Sequence, residues 1–176
     1  QATFSISLVM FALGILAWGP ISDRYGRRRA ILAGLAIMVC GSVASVFAQS
    51  LPWLIAGRAL QAFGVATGLV TARAIIADRY PADRMAKMLA SLTMVAVLGN
   101  SLAPVLGGFL AAGFGWRAIF ATLVLAASTV GFIAWRHLPE TRPRDARPPR
   151  AREMLATASS LVRKPLFMGC LLQGAV

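Results

Sequence analysis

Few residues in this chain are equipped to break bonds, and most of its reactive groups carry fixed charge. The carboxylates are Asp23, Asp78, Asp83, Glu140, Asp145 and Glu153, the one histidine is His137, and the cysteines are Cys40 and Cys170. Intramembrane hydrolysis needs paired acids, a metal cluster or a Ser/His arrangement. No His-x-x-x-His, adjacent aspartates or Gly-x-Ser-x-Gly occurs, which argues against an enzyme. Charge is concentrated instead in Gly19-Pro20-Ile21-Ser22-Asp23-Arg24-Tyr25-Gly26-Arg27-Arg28-Arg29. In a tight turn Asp23 can accept backbone N–H bonds or face the positive end of a helix. Gly26 permits a left-handed or close-packed turn, and Arg27 and Arg28 can fork onto carboxylates. Arg58 is a different case, because it stands alone between the uncharged runs 30–57 and 59–72.

The elements that must position these residues are hydrophobic helices. The chain is 58% hydrophobic and 14% charged, with mean hydropathy +0.71; soluble domains carry about 25% charged residues. Uncharged runs cover 1–22, 30–57, 59–72, 88–116 and 118–135. A spanning helix needs roughly 20 apolar residues. The pattern therefore predicts helices near 2–18, 30–49, 52–76, 87–112 and 116–135, and a sixth apolar run begins at Leu166. The fold class is all-α, a polytopic transmembrane helix bundle. Residues 1–138 hold its helices, 139–164 form a proline-rich linker, and 165–176 start a further helix. Within the linker, 151–163 reads either as an amphipathic surface helix or as a disordered loop.

Basic residues orient the bundle. All 18 Lys and Arg except Arg58, Arg73 and Arg117 fall in 19–29, 77–87 and 136–164, which are alternate connections on one side. By the positive-inside rule that side is the cytoplasm. The net charge of +12 then reflects topology and attraction to membrane lipids, with no nucleic acid implied. Trp18, Trp53, Trp116 and Trp135 fall near predicted helix ends, as an aromatic belt does. Neither cysteine suggests a disulfide or metal site, and no cofactor is implied. The first residue is Gln and no signal peptide is visible, so the chain reads as a fragment.

Arg58 lies about 9 Å inside its predicted helix, by the rise per residue. An arginine there should face the protein interior or a wet cavity. Two roles stay open: a structural bond to helix-end carbonyls, or a part in proton coupling or anion binding. Helical geometry puts Arg73 about 60° and Asp78 about 200° from Arg58, so Asp78 points away from the Arg58 face.

Three motifs carry a family resemblance. The pattern Gly19-x-x-x-Asp23-Arg24-x-Gly26-Arg27-Arg28 resembles the loop between the second and third helices of major facilitator superfamily transporters. Arg58-Ala59-Leu60-Gln61-Ala62-Phe63-Gly64 resembles that superfamily's fourth-helix motif, with Ala62 where glycine is usual. Gly99-Asn100-Ser101-Leu102-Ala103-Pro104-Val105-Leu106-Gly107-Gly108 resembles its fifth-helix antiporter signature, with Ala103 for the middle glycine. Small residues at 99, 103 and 107 form a stripe that lets helices approach, and Pro104 would kink the helix. With Thr71-Ala72-Arg73-Ala74-Ile75-Ile76-Ala77-Asp78-Arg79-Tyr80-Pro81, Gly115-Trp116-Arg117-Ala118-Ile119-Phe120 and Leu138-Pro139-Glu140-Thr141, the chain is similar to the bicyclomycin-resistance/CflA branch of drug–proton antiporters.

The resemblance implies helices two to six, the central linker and the start of helix seven of a twelve-helix transporter in the bacterial inner membrane. Its partners would be a small drug-like substrate, protons and the remaining helices of the same protein. It implies a cytoplasmic gate at Gly19, Asp23, Arg24, Gly26, Arg27, Arg28 and Asp78, and a coupling role for Arg58 and Gln61. Every acid of the chain lies in a predicted loop or at a helix end, so the proton-carrying acid would lie elsewhere in the transporter. The rival within the superfamily is an importer of a sugar or metabolite, which would not be expected to carry the 99–108 pattern. A membrane-embedded enzyme or sensor ranks well below both.

Overall fold

A computed structural model describes residues 2–141, which form five α-helices in an up-and-down series. They are α1 (Ala2–Tyr25), α2 (Arg27–Val46), α3 (Leu51–Arg79), α4 (Ala82–Phe114) and α5 (Trp116–His137). All five are long and apolar enough to cross a membrane. The sequence expectation of an all-α transmembrane bundle therefore holds. From residue 142 onward, the proposed linker and the start of a further helix lie outside the described residues.

The helices run further than the apolar stretches that mark them. α1 continues through Pro20 to Tyr25, and α4 begins at Ala82, so the expected loops 19–29 and 77–87 are largely helical. The reason is physical: a charged residue is expensive in lipid but not in a helix, and Arg and Lys are good helix formers. Apolar runs locate the bilayer-crossing part, while backbone breakers locate the turns. With 33 residues, α4 is about 50 Å long against a hydrocarbon core of about 30 Å.

The breakers are glycine and proline. Gly26 alone separates α1 from α2 with φ 99° and ψ 153°, and Gly115 alone separates α4 from α5 with φ 80° and ψ 164°. That region of backbone space is essentially restricted to glycine. Pro52 sits in the first turn of α3 and Pro81 precedes α4, where a missing N–H does no harm.

Small residues make the core. α2 and α3 cross so closely that a Cβ on Gly41 would lie 2.5 Å from the Gln61 nitrogen and 2.7 Å from the Gly57 oxygen. A Cβ on Gly64 would lie 2.6 Å from the Gly34 oxygen, and one on Gly34 would run into Thr67. α1 approaches the same helix through Gly14, against Phe63 and Ala66. Lipid gives helices no hydrophobic reason to associate, so close backbone packing supplies the attraction. Buried Ser42, Ser45 and Thr71 bond back to the carbonyls of Met38, Gly41 and Thr67, which keeps their hydroxyls satisfied away from water.

α4 stands apart. It leans on α5 and lightly on α3, and none of its residues is buried. The helix continues through Pro104. No atom lies within 4 Å of a Cβ placed on Gly99, Gly107 or Gly108, and Ala103 and Pro104 are exposed. Among the described residues this small-residue stripe is bare.

Candidate functional site

Arg27 gathers the charged end of the bundle. Its Nε donates to Asp78 Oδ2 at 3.0 Å, and its Nη1 donates to Ser22 Oγ at 2.7 Å and to Asp23 Oδ1. Because only Gly26 interrupts the helix, Asp23 and Arg27 remain four residues apart on one face, while Asp78 arrives near the last turn of α3. The Arg27 and Asp78 side chains are 11% and 14% exposed, so the pair is shielded enough to count. Exposed ion pairs contribute little; desolvated, hydrogen-bonded ones cost much when one partner is removed.

Two further contacts tie α5 and the residues just after it to this hub. Glu140 Oε1 accepts from the Arg27 backbone N–H at 2.8 Å, where α2 has no cap from its own preceding residue. A carboxylate at a helix N-terminus satisfies an orphan donor and meets the positive end of the dipole. Arg28 Nη2 donates to the Trp135 carbonyl at 2.5 Å, in the last turn of α5 and at the same end of the helix pair. The remaining members of the expected gate are placed differently. Arg24 is exposed, with its Cζ 5.4 Å from the Tyr25 ring centroid. Gly19 lends its carbonyl to Ser22 at 3.0 Å, and a Cβ there would meet nothing within 4 Å.

Arg58 and Gln61 do not act on each other. Gln61 is buried at 9% exposure, where its backbone faces Gly41 of α2. Arg58 is half-buried, with its Cζ 5.8 Å from the Phe120 ring centroid on α5. Its Nε is buried without a hydrogen-bond partner among the described residues. Arg117 caps the end of α2, its Nε and Nη2 donating to Val46 O and Ala48 O at 3.2 Å each.

Trp18 corrects the aromatic-belt expectation. It is 3% exposed, donates Nε1–H to the Phe63 carbonyl at 2.9 Å, and packs its ring 5.6 Å from that of Phe63. It locks α1 to α3, because α1 extends a further two turns beyond it. Trp53, Trp116 and Trp135 are exposed. Sequence reasoning also missed Ser22, Glu140 as a cap, and Phe120 as the ring beside Arg58. For Ser22 a usable signal existed, since it lies five residues before Arg27 inside the charged motif.

A bundle of membrane-length helices, knotted at one end by charge, has the architecture of a polytopic membrane protein. The chain matches the Major Facilitator Superfamily family model over residues 1–176, and it belongs to that family. It is 37% identical over 152 residues to Multidrug resistance protein D of Escherichia coli K12, covering 86% of this chain and 38% of that protein. It is 36% identical over 147 residues to a chloramphenicol resistance protein of Pseudomonas aeruginosa, covering 81% and 34%. To a bicyclomycin resistance protein homolog of Haemophilus influenzae it is 32% identical over 160 residues, covering 89% and 39%. The chain thus spans less than two-fifths of the length of these curated relatives. With its five membrane-length helices and bacterial relatives, it is a multi-pass protein of the bacterial inner membrane.

Proposed function

We infer that this chain forms part of a transporter that exports drugs or other small organic molecules across the inner membrane in exchange for protons, by alternating access. The observation that carries the reading is Arg58. An ionisable residue within a membrane span is expensive and marks a pathway or relay unless something pairs it. Here its Nε has no hydrogen-bond partner among the described residues, and it lies on the helix that packs most closely on its neighbours. Its role is to favour the charged form of an acid in the rest of the transporter, setting when that acid takes and releases its proton.

Other features support the reading. The Arg27–Asp23–Asp78 cluster lies on the side assigned to the cytoplasm, where it acts as a gate between the moving halves. The resemblance of the 99–108 pattern to an antiporter signature favours export over import, and the bare stripe Gly99, Ala103, Gly107 offers α4 to the remaining helices. Relatives named for multidrug, chloramphenicol and bicyclomycin resistance point to drug-like substrates.

The test uses the full-length transporter in cells and in detergent. Arg58→Ala and Arg58→Lys should both lose efflux, since lysine keeps the charge but not the planar fork, while drug binding in detergent survives. Wild-type efflux by Arg58→Ala would remove the coupling role.

A further inference from the structure

Arg58 is held by a ring, and that ring belongs to a ladder. Phe120, 6% exposed, sits edge-on to Trp116 with centroids 6.1 Å apart and planes at 86°. Trp116 in turn lies under Arg117, whose Cζ is 4.2 Å from its ring centroid. Arg117 is pinned by its two bonds to Val46 O and Ala48 O at the end of α2. Cation, ring, ring and cation therefore connect the end of α2, through the first turns of α5, to Arg58 on α3. Trp116 and Phe120 are four residues apart, so one face of α5 carries both rungs.

We propose that Phe120 is a positioning residue for Arg58, fixed in place through Trp116 by the Arg117 clamp. The proposal rests on the coupling role inferred above for Arg58. The choice of a ring has a physical consequence. A carboxylate partner would neutralise the guanidinium and compete for protons. An aromatic face attracts the cation through its quadrupole, more strongly when water is excluded, yet adds no formal charge and cannot titrate. Arg58 is held still while its field remains available to an acid across the transport path. Phe120 as simple filling would need only volume, which leucine supplies in part.

The experiment compares the full-length transporter with F120L, F120Y, R58A and the F120L/R58A double variant, each reconstituted and read as the pH profile of proton-driven drug efflux. F120L should lower turnover about tenfold at unchanged KM for drug, the scale of one desolvated cation–π contact. It should also move the midpoint of the pH profile alkaline, because a loosely held cation favours the neighbouring carboxylate less. F120Y keeps the ring face and should restore both. In the R58A background F120L should cause no further loss of whatever residual efflux remains, since the two residues act as one unit. Wild-type turnover and midpoint in F120L beside an impaired R58A would overturn the ladder and leave the coupling role standing, as would additive losses in the double variant. Wild-type transport by R58A would overturn both. If F120L fails to assemble, Trp116→Leu reads the same ladder from its next rung; an unchanged pH midpoint there also overturns the proposal.

Discussion

At the scale of single residues, the charged hub turns on Arg27, and its partners differ in what they do. Asp78 is the long-range partner, held by one 3.0 Å bond from a guanidinium that is nearly out of water. Asp78→Asn keeps an acceptor but removes the charge, weakening a charge-assisted bond by about 1–3 kcal/mol. Transport in the full-length protein should fall while membrane insertion at matched expression does not; equal transport by both forms would exclude Asp78 from the gate. Gly26→Ala should cost about 1–3 kcal/mol through backbone strain alone. It also drives a methyl into Glu140, so a thermal-melting comparison with Gly19→Ala, where nothing lies within 4 Å, should show a loss only at position 26. Asp23, Gly26 and Arg27 were legible in the sequence because their spacing is local. Asp78 meets Arg27 of the basic motif, the neighbour that helical geometry suggested for it. Glu140 was not, since its bond to Arg27 joins positions 113 residues apart and no pattern encodes that meeting. Phe120 stayed hidden for a related reason: an apolar ring in an apolar helix reads as packing until its cation is found.

Whole elements show where composition stops being informative. Runs without charge located all five helices but misplaced their ends, because bilayer thickness governs the run while Gly and Pro govern the end. Trp18 was misread for that reason, since a residue near the end of an apolar run is well inside α1. The closeness of α2 and α3 could be traced to glycines seven residues apart on each, Gly34 with Gly41 and Gly57 with Gly64, although spacing alone could not say that they face each other. Gly41→Ala places a methyl against backbone that cannot yield, and should destabilise the fold by about 1–3 kcal/mol as overpacking does. Gly99→Leu on the bare face of α4 should leave this bundle intact and impair transport only in the full-length protein. Unfolding of the bundle by Gly99→Leu, followed by denaturant titration, would mean that α4 already uses that face within these helices.

At the scale of the whole molecule, sidedness comes first. Basic residues place the α1–α2 turn in the cytoplasm and the α2–α3 turn outside. Tyr25 and Ser50 are both exposed at those turns, so single cysteines there are fair reporters. In intact cells an impermeant thiol reagent should label position 50 and spare position 25. Strong labelling at position 25 would invert the topology and move the charged hub to the other face.

Coupling of drug export to inward proton flow is tested most directly in everted membrane vesicles carrying the full-length transporter, loaded with acid by respiration. Adding a transported drug should release luminal protons, read as recovery of a quenched acid-sensing dye, and drug accumulation should stop when an ionophore collapses the gradient. Arg58→Ala vesicles should show neither effect. Drug accumulation that continues without a proton gradient, or proton release that is unchanged in Arg58→Ala, would contradict the account.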